Sequence, residues 1–166
     1  MFKSVKIVSA IWLLSGSVVA ENVPITGTVQ SRCSIVADVP GVYGNPNAYT
    51  LTTSPSDGGV LPVVRVDVTL ADAYKAQISY PTEFSSSPSL DDSVTWTGST
   101  SVLTVSTTDM ADYDTNKVTF GSTTEYDLTA AGSTWFKTSS TATYGGSKAF
   151  PGGSYSSVVE VVCIAK

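Results

Sequence analysis

Apolar and polar residues alternate along much of the chain, and that period of two predicts strands. Val64-Arg65-Val66-Asp67-Val68-Thr69-Leu70 alternates without a fault, so one face belongs in a core and the other in water. Tyr74-Lys75-Ala76-Gln77-Ile78-Ser79-Tyr80 alternates too, as do the shorter Val94-Thr95-Trp96 and Val102-Leu103-Thr104-Val105. Further strands are predicted at Lys117-Val118-Thr119-Phe120, at Tyr126-Asp127-Leu128, and over the long apolar run Tyr155 to Ala165. β-branched and aromatic residues fill these segments, as a half-buried pleated surface prefers.

Turn residues separate them: Gly41, Gly44, Asn45-Pro46, Pro55-Ser56-Asp57-Gly58-Gly59, Gly121, Gly132, Gly145-Gly146 and Pro151-Gly152-Gly153. No segment holds a helical period beyond two turns. Ser85 to Ser89 and Thr138 to Thr143 read as surface loops or as polar faces of edge strands. Many short strands at this spacing predict an all-β chain folded as an Ig-like antiparallel sandwich.

The ends of the chain add two expectations. Lys3 and Lys6, the apolar run Ile7 to Leu14, and the small residues of Ser17-Val18-Val19-Ala20 read as a secretory signal peptide over 1–20. The apolar run is too short to span a bilayer. Next, Val23, Ile25, Gly27 and Val29 share one face of an alternating segment within the extension 21–32. Such a face needs a groove, in its own domain or in a neighbour's. Pro24 lacks a ladder donor, which shortens the usable strand to about Ile25–Ser31.

Composition fits an exported protein. The formal net charge is −5, and a leader carrying two lysines and no acids leaves −7 on residues 21–166. A sparse, acidic charge does not suit nucleic acid or an anionic membrane surface. Cys33 and Cys163 are the only cysteines, and an even count in an exported chain argues for a disulfide rather than two buried thiols.

The chemistry of catalysis is missing from the residue list. There is no histidine, which removes Ser-His-Asp and Cys-His catalysis and most zinc sites. No phosphate-binding loop precedes a helix. Asp91-Asp92 is an acid pair of the kind that solvates a turn. Asp112, Asp114 and Asn116 have the every-second-residue spacing of a calcium loop, but Lys117 stands in the glycine position and Thr123 in the glutamate position. The expectation is no enzyme, no metal and no cofactor. Trp135 and Phe136 are neighbours and cannot both face inward on a regular strand, so the pair is a candidate ligand contact.

Two segments carry a resemblance. Ile25-Thr26-Gly27-Thr28-Val29, shortly before Cys33, resembles the alternating opening of chaperone–usher pilus (fimbrial) subunits. Gly153-Ser154-Tyr155, followed by Ser156 to Val161, resembles their closing strand, and the opening together with Ser93 to Trp96 looks most like the alpha, CFA/I-type branch. The resemblance implies an incomplete Ig-like pilin domain over 33–166, completed by donor-strand exchange. It implies that Val23, Ile25 and Val29 are donor-strand anchors, with Gly27 the small residue between them. It also implies copies of the chain or other pilus subunits as partners, with a periplasmic chaperone and an outer-membrane usher, and a fimbrial location on the cell surface. The expected function is therefore a structural subunit of a bacterial pilus serving adhesion or biofilm. The rivals are a minor or tip adhesin for a host glycan or surface-protein receptor, and a self-complete secreted sandwich.

Overall fold

The computed structural model describes residues 26–166. The expected signal peptide, and Val23 and Ile25 of the expected donor strand, lie outside the described residues.

Among the described residues ten strands follow one another: β1 (Cys33–Val39), β2 (Gly44–Asn47), β3 (Thr50–Thr52), β4 (Val63–Val68), β5 (Tyr74–Ser79), β6 (Val94–Val105), β7 (Val118–Phe120), β8 (Thr123–Leu128), β9 (Gly132–Tyr144) and β10 (Glu160–Ala165). They form two antiparallel sheets. In the first, β9 is the spine. β6 pairs with it from Thr134 to Tyr144, so the opposite edge is divided between β4 at Gly132–Lys137 and β3 at Thr141–Thr143. β1 lies outside β4, and β2 outside β3. The second sheet runs β10-β5-β8-β7.

The inner faces of the two sheets meet in one core. Val66, Val68 and Phe136 come from the first sheet, and Ala76, Ile78, Tyr126 and Leu128 from the second. The perfect alternation of residues 64–70 and 74–80 places these side chains, since strands β4 and β5 bury every second residue. Asp72, at φ 59°, makes the turn between them. Asp tolerates that left-handed backbone better than most residues.

Two expectations need correcting. Thr138 to Thr143 is neither a loop nor an edge: it belongs to β9 and is paired on both sides. Its inward positions are hydroxyls that satisfy one another. Thr138 bonds Thr100 across to β6, and the Ser140 amide donates to the Thr53 hydroxyl. A buried hydroxyl with a partner escapes most of the cost of leaving water. The predicted strand 155–165 is also shorter than expected. Only Glu160–Ala165 pairs as a strand, and the preceding residues make a single bridge, Ser86 to Ser156.

The segment between β6 and β7 is not an open acidic loop. It coils into short helical turns at Thr108–Met110 and Tyr113–Asn116, which insert Met110 and Tyr113 into the core. Among the described residues no helix is long and apolar enough to cross a membrane.

Candidate functional site: a cleft between two free edges

β1 ends the first sheet and β10 ends the second, and the two run side by side in opposite directions. Neither hydrogen-bonds to the other. Between them lies a cleft of about 830 Å³. One wall is Ile35, Ala37 and Val39, continuing through Pro40 to Tyr43. The other is residues 153–159 with Val161. Leu51, Thr53, Val64, Thr138 and Ser140 form the floor.

The wall side chains are where alternation puts them. Ile35, Ala37 and Val39 point into the sandwich, while Val36 lies on the outer face, in the row of Arg65 and Trp135. An inward-facing apolar side chain is normally buried. Ile35 and Val39 instead remain 42% and 40% exposed, because no strand among the described residues covers them. Unpaired edges of this kind also carry free backbone donors and acceptors, which template the pairing of another chain.

The lining changes character along the cleft. Near β10 it is apolar, with Val159 and Val161 packed on the core. Toward the other end it is hydroxylic. Tyr43 Oη hydrogen-bonds with Ser157 Oγ at 2.6 Å and with Ser140 Oγ at 3.1 Å. An aromatic cluster supports that end: Phe84 packs against Tyr43, Trp96, Phe150 and Tyr155. Tyr155 also donates a hydrogen bond to the Pro151 carbonyl at 2.7 Å, and burial pushes its phenol pKa up.

Cys33 and Cys163 form a disulfide that joins β1 to β10 at the other end of the cleft. A disulfide fits an exported protein in an oxidising compartment. The extension that precedes β1 belongs to no strand from Thr26 to Arg32, and Val29 is 80% exposed. Gly27 has no neighbouring atoms within 4 Å of where a Cβ would stand. The described part of the extension therefore does not occupy its own cleft.

The remaining candidates separate cleanly. Trp135 faces outward, its indole N–H donating to Asp38 Oδ2 at 2.8 Å, with Arg65 over the ring at 5.9 Å. Phe136 has no exposed surface and packs on Tyr126 in the core, so it is not a ligand contact. Asp114 accepts hydrogen bonds from the Val102 amide and from the Lys117 ammonium. No cluster of three metal-ligating side chains exists among the described residues. Asp91 takes a short hydrogen bond from the Tyr144 hydroxyl, and both Asp91 and Asp92 pair with Lys148.

The cleft itself left only indirect signals in the sequence. Only the wall that leads into β10 lay in a segment read as a strand; the β1 wall was not read as one, and Tyr43, Ser140 and Ser157 carried no motif. Compared with family models, with curated proteins and with solved structures, the chain matches none.

Proposed function

We propose that this chain is a structural subunit of a bacterial surface pilus: an Ig-like sandwich lacking one strand, completed by the N-terminal extension of a neighbouring copy. The observation that carries this reading is the free edge of β1, which faces the segment leading into β10, residues 153–161, across a cleft where inward-facing Ile35 and Val39 stay exposed. The occupant is the segment 23–29 of a second copy. Its alternation presents Val23, Ile25, Gly27 and Val29 on one face, as an apolar cleft with alternate pockets requires. Main-chain hydrogen bonds to the edges supply affinity, and the alternate side chains supply specificity. In this reading a periplasmic chaperone covers the cleft before assembly, an outer-membrane usher handles export, and the polymer serves adhesion.

Deleting residues 21–30 tests the proposal. Light scattering of the purified protein should show polymer for the full extension and monomer for the deletion. The deleted protein should still accept a synthetic peptide of residues 21–31. Polymer that survives the deletion would refute the reading.

A further inference from the structure

Resting on that reading, we propose that the Cys33–Cys163 disulfide is an end-stop that limits the inserted strand to about seven residues and so sets its register. The bridge brings the two walls together at one end of the cleft, where the Cα atoms of Cys33 and Cys163 are 6.4 Å apart. A strand bonded on both sides sits about 4.8 Å from each neighbour, so the walls must stand roughly 9.5 Å apart to admit it. Backbone therefore cannot pass between the two cysteines while they are joined. A disulfide never holds its Cα atoms much beyond about 7 Å, so breathing of the sheets cannot open that end.

Beyond the bridge the β1-side wall runs from Ile35 to Tyr43, and there the Tyr43 hydroxyl crosses to Ser157, so the stretch open to a strand is Ile35 to Gly41. At about 3.3 Å per residue, seven residues span roughly 23 Å and offer four positions on one face. Residues 23–29 supply that number of side-chain positions, with Val23 and Val29 at the two limits, and ladder hydrogen bonding begins only after Pro24. A strand that overran the stop by one residue would turn every anchor to the wrong face. The bridge thus does more than hold the fold: it gives the cleft a blind end against which the occupant is seated.

The test is a length series. Synthetic peptides of residues 25–29, 23–29, 21–29 and 23–31 are bound to the protein lacking residues 21–30, whose cleft no neighbouring extension fills, and their dissociation rates measured. Going from 25–29 to 23–29 should slow dissociation at least ten-fold. Lengthening at the end that faces the bridge should then change the rate less than two-fold. In the Cys33→Ser/Cys163→Ser variant the same lengthening should slow it at least five-fold further. Continued slowing at both ends with the bridge intact, or the same ceiling in the variant, would overturn the proposal. Should the variant not fold, a photoreactive group at each peptide terminus gives the answer on the native protein. One terminus should cross-link beside Cys33 and Cys163 and never past them, at Arg32 or Ile164; cross-links past the bridge overturn the stop. If no peptide of any length binds, the pilus reading itself fails and the stop with it.

Discussion

The hydroxyl of Tyr43, just beyond the end of β1, bonds Ser157 on the opposite wall at 2.6 Å and Ser140 beneath both at 3.1 Å. One side chain thus ties both walls of the cleft to its floor. Tyr43→Phe keeps the ring against Phe84 and deletes only these bonds. Buried Ser140 and half-buried Ser157 each lose a partner, at a cost of about 1–2 kcal/mol. A urea titration should show the midpoint fall accordingly. An unchanged midpoint would mean that solvent already competes for these groups.

Trp135 and Phe136 should respond in opposite ways to truncation. Phe136→Ala empties a fully buried site against Tyr126 and should cost about 3–5 kcal/mol. Trp135→Ala loses the bond to Asp38 and the Arg65 contact on an outer face, worth about 1 kcal/mol together. Denaturation of both variants measures the difference. A larger loss at Trp135 than at Phe136 would contradict their placement.

Ile35→Lys separates folding from assembly. Ile35 is 42% exposed, so the substitution should shift stability by no more than about 0.5 kcal/mol. It places a charge where an apolar anchor must dock, and polymer yield should fall at least ten-fold. Normal polymer from a folded Ile35→Lys protein would place the interface elsewhere.

The Asp91–Asp92–Lys148 cluster gives a pH dependence with a defined sign. The Tyr144 hydroxyl first, and then Lys148, hold the Asp91 carboxyl below its ordinary value. The Ser93 backbone amide does the same for Asp92, again with Lys148. A depressed acid contributes stability that is full above its unfolded value, near 3.9, and is lost as pH falls through the lower folded value. Lys148 is raised, chiefly by its bond to Asp92, so its share is full below the ordinary lysine value and disappears as pH rises through the raised one. The loop after β9 should therefore stay tethered from acid pH through the whole neutral range. Carboxyl carbon NMR titrations check this; midpoints at or above 3.9 for both acids would remove the effect.

Reducing the disulfide should destabilise the fold markedly. It closes a loop spanning 130 positions, for which chain-entropy estimates give about 4–5 kcal/mol. Guanidinium titrations of the native and the reduced, alkylated protein measure it. Coincident curves would show that the walls are held by packing alone.

Strands β4 and β5 were legible because their polarity alternates residue by residue. β9, the spine of its sheet, was not. It buries every second residue just as regularly, but Thr134, Thr138 and Ser140 stand at inward positions, so pattern and burial part company. What hides them is hydrogen bonding to partners far along the chain: Thr134 to the Met110 sulfur 24 positions away, Thr138 to the Thr100 hydroxyl 38 away, and the Ser140 hydroxyl to Tyr43 97 away. The apolar run ending at Ala165 announced β10 but not that residues 155–159 would line a cleft. A missing neighbour has no residues of its own to read. Phe136 illustrates the same limit: alternation said that it and Trp135 face opposite ways, and only the packing said which way each faces.

The covalent tie between the first and tenth strands also decides how a pull travels. Force entering at Arg32 and leaving at Ile164 crosses the sulfur atoms directly, and the chain between the two cysteines carries none of it. Stretching would release on the order of 400 Å of slack from 130 unravelled positions if that tie were absent, and almost nothing while it stands. Pulled at those two residues, the molecule would then behave as a short inextensible link, with its sheets sheltered from the tension.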